Sequence, residues 1–142
     1  MRAVLDTAVL VAALRSQGGA SRQLLVAALE RKFTCLASVP LMVEYEAVMT
    51  RPEHLEAAGL SPADVGQLLD ALALVVQPVR LAYLWRPALR DPDDDMVLET
   101  AANGAAEAIV TFNVRDFAGF AQQFGIEVLL PVQAWNRLRF DR

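Results

Sequence analysis

The chain of 142 residues has the length of one domain, and 55% of its residues are hydrophobic, which is enough to build a substantial core. Charged residues make up 21% and the net charge is −4, which excludes a disordered tail and a strongly basic nucleic-acid binder. The acids are clustered and the bases are dispersed, so local binding of nucleic acid stays open.

The single cysteine and the first apolar run bear on the cellular compartment. Cys35 has no partner for an intrachain disulfide and lies in an apolar run, which predicts a buried thiol in a reducing, cytoplasmic compartment. The apolar run near the start is broken by Asp6 and lacks a small-residue cleavage site, which argues against a signal peptide. No run is long enough to predict a membrane span.

Short apolar runs alternate with helical patterns along the chain. Strands are predicted at 2–5, 33–37, 74–79, 108–112 and 127–130. Helices are predicted at 8–15, 22–32, 40–50, 53–58, 62–74, 92–103, 117–124 and 131–138, with Ser21 and Ser61 as caps. This alternation predicts an α/β fold in which helices cover both faces of a parallel sheet.

The densest concentration of charge is the stretch 91–99, which reads DPDDDMVLE. One interpretation is a helix start, with Asp91 as N-cap, Pro92 at the first position and acids in the first turn. The other interpretation is half of a metal site, because clustered carboxylates repel one another unless a cation is present. Asp95 lies too far into the helix for the first interpretation to explain it well.

Three further acids occupy unexpected places. Asp6 ends the first apolar run, where a helix cap is the simpler interpretation, and Asp116 follows the fourth strand together with Asn113. Glu44 falls beside Leu41 at the border of the apolar face of the third helix. Ligands of parallel α/β sheets bind at the carboxyl ends of the strands, which makes Asp6, Asn113 and Asp116 site candidates.

Asp6, Glu44, Asp95 and Asp116 thus come from four separate elements. Hard cations such as Mg²⁺ and Mn²⁺ prefer oxygen ligands, which carboxylates supply. Metal ions held in this way activate water and stabilise the oxygens of an in-line displacement at phosphorus. The set is therefore typical of a metal-dependent enzyme that acts on phosphate esters.

Four segments carry a family resemblance: VLDTAVLVAAL at the start, VEYEAVMTRP in the third helix, DPDDDMVLETA in the acidic stretch and VTFNVRDF near the end. In this order and spacing they resemble the PIN domain family, in particular VapC-type toxins of toxin–antitoxin pairs. The resemblance covers nearly the whole chain. It implies a single PIN-like three-layer nuclease domain over 1–142 with strand order 3-2-1-4-5. It also implies RNA cleavage with Mg²⁺ or Mn²⁺, a small antitoxin partner and a homodimer, without membrane association.

Carried over by position, the resemblance implies that four acids are both catalytic and metal-binding: Asp6, Glu44, Asp95 and Asp116. It implies supporting roles for four further polar side chains: Thr7, Asp94, Thr111 and Asn113. The Asn113 amide can orient water or a carboxylate but adds no charge, and Asp94 retains its alternative interpretation as a helix-start acid. Glu99, one turn after Asp95, is expected to be solvated.

Binding of RNA by a chain of negative net charge requires local cations. Five arginines lie near the proposed motifs and are candidates for phosphate contacts: Arg15, Arg51, Arg86, Arg90 and Arg115. The alternative function from another class is a PIN-like fold without activity that serves as a binding module for protein partners. The presence of all four acids favours the nuclease.

Overall fold

A parallel sheet forms the centre of the molecule in a computed structural model. The structure describes residues 1–84 and 92–140, and at residues 92 and 93 it describes only the backbone. Within those ranges the sheet has five strands: β1 (Arg2–Leu5), β2 (Thr34–Ala37), β3 (Gln77–Pro78), β4 (Ala108–Val110) and β5 (Glu127–Leu129). Their order is β3-β2-β1-β4-β5, and every neighbouring pair is parallel. The predicted fold class and strand order are confirmed.

Helices connect the strands and cover the sheet: α1 (Thr7–Arg15), α2 (Ala20–Leu29), α3 (Val39–Met49), α4 (Pro52–Ala58), α5 (Pro62–Val75), α6 (Pro92–Asn103), α7 (Val114–Gln122) and α8 (Pro131–Phe140). Helix α1 packs against α2 and α3, and α2 packs against α8. Helix α6 packs against β1, β4, α3 and α7. No helix in the described ranges is both long and apolar enough to cross a bilayer.

The central strand β1 is buried because helices shield both faces of the sheet. Ala3, Val4 and Leu5 are each at most 1% exposed. All three are apolar, as expected for a parallel strand that is buried on both faces. The predicted boundaries of this strand are confirmed, and Asp6 follows it directly at the carboxyl edge of the sheet.

Several predicted boundaries are wrong, among them those of α2, which was predicted at 22–32 and spans Ala20–Leu29. Helix α5 continues to Val75, and the Val76 N–H still donates to the Leu72 carbonyl. Because the helix occupies these positions, the strand predicted at 74–79 has only two residues. Helix α7 begins at Val114 rather than at 117 and follows a turn in which the Asn113 N–H donates to Thr111 Oγ1. That turn also ends β4 at Val110.

The caps of α2 and α5 differ in how well they were predicted. Gly19 is the N-cap of α2, whereas Ser21, predicted as its cap, lies inside the helix and is buried. Ser61 and Asp64 form a reciprocal capping box at the start of α5, as predicted. These hydrogen bonds, first to the Ser61 backbone and then to its side chain, lower the pKa of Asp64.

Candidate functional site

Three neighbouring strands end in polar residues at one edge of the sheet. Asp6 follows β1, Ser38 follows β2 and Thr111 follows β4. All three side chains are buried, with at most 7% exposure. Because β1 lies between β2 and β4, these residues form the centre of the carboxyl edge, where α/β proteins bind their ligands.

Asp6 occupies the N-cap position of α1 without capping it. Its side chain makes no capping hydrogen bond; instead, Oδ2 accepts a 2.7 Å hydrogen bond from the Thr111 hydroxyl. The Asp6 N–H donates to the Val110 carbonyl at 2.9 Å. The carboxylate is therefore oriented by β4 rather than by the helix that follows it, which argues against the interpretation as a simple cap.

Glu44 is connected to the same edge through α1. The Thr7 hydroxyl donates to Glu44 Oε2 at 2.8 Å, and Glu44 is half-buried, as its position on the border of the apolar face predicted. Its neighbour Glu46 is exposed. The Thr7–Glu44 hydrogen bond links α3 to the residue directly after Asp6.

Tyr45 anchors α3 beneath these acids. Its side chain is 1% exposed, and its hydroxyl donates to the Leu5 carbonyl at the end of β1. Burial raises its pKa well above the usual range, and the neighbouring Cys35, Asp6 and Glu44 raise it further. Tyr45 therefore remains a neutral donor that ties α3 to the central strand, with the charges of Asp6 and Glu44 nearby.

Helix α6 carries three buried acids. Asp94 is 6% exposed, Asp95 is 2% exposed and Glu99 is fully buried. Asp95 and Glu99 are four residues apart and therefore share one face of the helix. The expectation that Glu99 is solvated is wrong, because β1, β4, α3 and α7 surround α6 and leave positions 97–101 buried on every side. Asp91, the proposed N-cap, lies outside the described residues.

Asp116 and Asn113 differ from the buried acids in their exposure. Both are exposed, at the start of α7, and Asn113 makes no side-chain capping bond there. The packing of α6 against α7 brings their helix alongside the helix that carries Asp95. Within the described ranges, no three histidine, cysteine, aspartate or glutamate side chains converge closely enough to hold a metal ion.

A buried pair of hydroxyls also belongs to this edge, and the sequence patterns did not predict it. Ser38 Oγ lies 2.8 Å from Thr100 Oγ1, which connects the start of α3 to α6. Ser38 could have been found by the rule that singled out Asp6, since it is the polar residue directly after a buried strand. Thr100 carries no such signal, because its contact is 62 residues away in the chain.

Three of the five arginines that were predicted to contact phosphate lie among the described residues. Arg15, Arg51 and Arg115 are exposed, and Arg15 Nη1 lies 3.4 Å from His54 Nδ1. Arg86 and Arg90 lie outside the described residues. Arg115 directly precedes Asp116 and is thus nearest in sequence to a predicted catalytic acid.

Comparisons with known proteins agree with this architecture. The fold is similar to the crystal structure of VapBC2 from Rickettsia felis bound to a DNA fragment from their promoter, with a TM-score of 0.56 and 15% identity over 90% of this chain and 97% of that chain. No curated protein matches the chain. A family model described as PIN domain matches residues 2–115. That match spans well over half of the chain, and the protein therefore belongs to the PIN domain family.

Proposed function

We propose that the protein is a metal-dependent endoribonuclease that hydrolyses RNA phosphodiester bonds. The observation that carries the proposal is the buried carboxylate of Asp6, held by the Thr111 hydroxyl at the carboxyl end of the central strand. The buried acids of α6 lie on the helix that packs against this strand. Membership of the PIN domain family supports the same class of reaction.

The chemistry of the donor set fits Mg²⁺ or Mn²⁺. The proposed ligands are the carboxylates of Asp6, Glu44, Asp95 and Asp116, and hard divalent cations prefer such oxygen donors. When bound, the cation would supply positive charge that activates water and stabilises the oxygens at phosphorus. Asp116 is exposed at the start of α7, the helix that packs against α6.

The remaining polar residues orient the acids. Thr111 fixes one oxygen of Asp6, and Thr7 fixes one oxygen of Glu44. Asp94 and Asn113 support the set, since Asp94 is buried beside Asp95 and Asn113 adjoins Thr111. Residues that hold ligands in this way commonly change metal affinity or activity by about 10- to 100-fold when they are mutated.

We also propose that the protein is the toxin of a toxin–antitoxin pair. The similarity in fold to VapBC2 supports this role, and a small antitoxin protein is then the expected partner. A homodimer acting in the cytoplasm is part of the same proposal. Co-purification with the product of the neighbouring reading frame, and the mass of the complex, would test the partner and the oligomeric state.

Cleavage assays with matched acid variants test the enzyme proposal. Wild-type protein should cleave members of an RNA panel with Mg²⁺ or Mn²⁺ and lose this activity in excess EDTA. Asp6→Asn and Glu44→Gln should be inactive, whereas Glu46→Gln, which removes an exposed acid from the same helix, should retain activity. Cleavage that persists in EDTA or in Asp6→Asn would reject the mechanism. Absence of cleavage together with absence of Mn²⁺ binding would favour the inactive binding module.

A further inference from the structure

An exposed aromatic ring lies directly beside the buried polar cluster. Phe112 is 48% exposed and follows Thr111, the residue whose hydroxyl holds Asp6. Single exposed apolar side chains are common on protein surfaces and by themselves indicate nothing. The surroundings of Phe112 decide its role, because this residue lines two concave surfaces.

One of these surfaces is a mixed polar and apolar cleft, which we call the α7 cleft. It has a volume of about 420 Å³ and lies between the start of α7 and the turn that leads from β5 into α8. Its lining includes Phe112, Asn113, Arg115, Asp116 and Gln133. The cleft thus extends from the predicted catalytic acid Asp116 towards an aromatic ring and has a volume typical of small-molecule sites.

The α7 cleft combines hydrogen-bond donors with one carboxylate, that of Asp116. Arg115 is exposed and forms no ion pair within residues 1–84 and 92–140. The Gln133 Oε1 atom accepts a 2.8 Å hydrogen bond from the Leu130 N–H, which leaves its amide protons for another acceptor. An available guanidinium and a donor amide beside an aromatic face match a phosphate and a base.

We propose that the α7 cleft binds one nucleotide of a single-stranded RNA, with its base stacked on Phe112 and its phosphate in contact with Arg115. The amides of Asn113 and Gln133 then meet the polar edge of the base. Asp116 lines the same cleft, so the adjoining phosphodiester would lie beside a proposed catalytic acid. This inference rests on the proposed ribonuclease function and adds the site at which the substrate is held.

The second surface beside Phe112 suggests a different occupant. It is a groove of about 400 Å³ with a predominantly apolar lining that includes Ala12, Ala20, Pro131 and Val132. An apolar segment of a protein partner would suit this groove. The Arg115 cation and the amides of Asn113 and Gln133, however, line the α7 cleft and not this groove. These groups favour a nucleotide as the ligand of the cleft.

Binding of a short fluorescein-labelled single-stranded RNA, measured by anisotropy without divalent metal, tests the stacking contact. In an Asp6→Asn background, which prevents cleavage, Phe112→Ala should raise the Kd about tenfold. Phe112→Tyr should bind like the parent, while Phe112→Leu should not restore affinity, because it keeps an apolar side chain but loses the aromatic face. The matched control is Phe140→Ala, which should leave Kd unchanged. Phe140 is 71% exposed and lies two residues after Leu138, which lies with Met1 and Glu107 at the opposite edge of the sheet.

The salt dependence of RNA binding tests the phosphate contact separately. Arg115→Gln should weaken binding and reduce the slope of log K against log salt concentration by about 0.7, the value for one phosphate contact on a single strand. Lys32→Gln makes the same change of charge at the opposite edge, where Lys32 lies near Met1, and should leave the slope unchanged.

The outcomes separate this inference from the proposed function. If the wild type cleaves RNA but Phe112→Ala and Arg115→Gln bind like the parent, the α7 cleft is not the nucleotide site and the nuclease proposal stands. If the Asp6→Asn protein fails to bind RNA, the cleft assignment is rejected whatever the cleavage assay shows. If Phe112→Ala leaves RNA affinity unchanged and weakens binding of a purified antitoxin, the ring belongs to a protein interface and the inference is wrong.

Discussion

The side-chain hydroxyls of Ser38 and Thr100 lie 2.8 Å apart in the buried contact between α3 and α6. The Thr100 hydroxyl donates its proton to the Met96 carbonyl, so the proton between the two oxygens comes from Ser38. Ser38 Oγ in turn accepts from the Leu41 N–H at the start of α3. This chain of hydrogen bonds fixes α3, which carries Glu44, against α6, which carries Asp95.

We expect Thr100→Val to lower the free energy of unfolding by about 1–3 kcal/mol, because the buried Ser38 hydroxyl loses its acceptor. The same variant should bind Mn²⁺ more weakly, measured by calorimetry, whereas Thr100→Ser should retain wild-type affinity because it keeps the hydroxyl. Ser61→Ala is the control: it removes a helix cap that is worth about 1 kcal/mol but touches neither acid-bearing helix. Wild-type Mn²⁺ affinity in Thr100→Val would show that the pair only stabilises the fold.

Removal of the hydroxyl that holds Asp6 should impair the site while leaving the fold intact. Thr111→Val deletes the donor to Asp6 Oδ2 and the acceptor of the Asn113 N–H while conserving side-chain shape. We expect cleavage or Mn²⁺ affinity to fall by about 10- to 100-fold, as for other residues that orient metal ligands, and Thr111→Ser to restore most of it. Equal activity in Thr111→Val and the wild type would mean that Asp6 needs no orientation from β4.

Asp95→Asn should separate metal binding from folding. Asp95 is 2% exposed on α6, the helix that packs against the central strand. If Asp95 is a metal ligand, its neutralisation should remove most of the effect of metal on the melting temperature. Added Mn²⁺ should stabilise the wild type by about 2.7 kcal/mol at a hundredfold excess over the dissociation constant and the variant much less. A variant that melts lower in EDTA and responds to Mn²⁺ like the wild type would identify Asp95 as a helix-start residue.

The architecture was predictable from the sequence because short apolar runs and helical patterns alternate along the chain. The strand at 2–5 was placed to the residue, since the charged Asp6 ends its apolar run abruptly. Two boundaries depended on hydrogen bonds that no local pattern reveals. Val76 continues the ladder of α5, and the Thr111 hydroxyl closes the turn that starts α7 early.

The candidate site was harder to predict, because the burial of side chains on α6 depends on the other elements that pack against this helix. A charged residue such as Glu99 ordinarily lies on the solvent side of an amphipathic helix, and no local pattern indicates that five other elements pack around this one. Asp6 was singled out as a candidate because its position directly after a strand has a topological meaning. The partners Thr100 and Ser38 meet only through the tertiary fold.

Gly104→Ala should destabilise the protein at the C-terminal end of α6. A Cβ atom there would lie 2.9 Å from the Thr100 carbonyl oxygen and 2.8 Å from Val79 Cγ2, and the backbone oxygen cannot move aside easily. We expect a loss of about 1–3 kcal/mol in the free energy of unfolding, measured by urea denaturation. Gly66→Ala in α5 is the matched control: its Cβ meets no atom within 4 Å, and the variant should gain about 0.5–1 kcal/mol. A neutral or stabilising Gly104→Ala would show that this contact relaxes freely.

The Cys35 thiol should be inert in the folded protein. Burial raises its pKa to about 12, so it remains protonated where an unfolded cysteine, with a pKa of about 8.5, has already ionised. The folded state then holds one more proton than the unfolded state. Stability should therefore fall by about 1.4 kcal/mol per pH unit above pH 9 and be unaffected by this group below about pH 8. The difference in unfolding free energy between the wild type and Cys35→Ala, followed from pH 7 to 10, measures this contribution. A difference that does not change with pH would contradict it.

Pro78 determines whether a further β-strand can pair with the β3 edge of the sheet. The Val79 N–H points inward to the Ala37 carbonyl, so the backbone nitrogen of residue 78 faces away from β2, and proline has no proton there to donate. A strand of only two residues without this outward donor cannot template another strand. Intermolecular β-sheet extension is thereby blocked on this side. A second copy of the chain, or a partner, that binds here has to do so by contacts other than strand pairing.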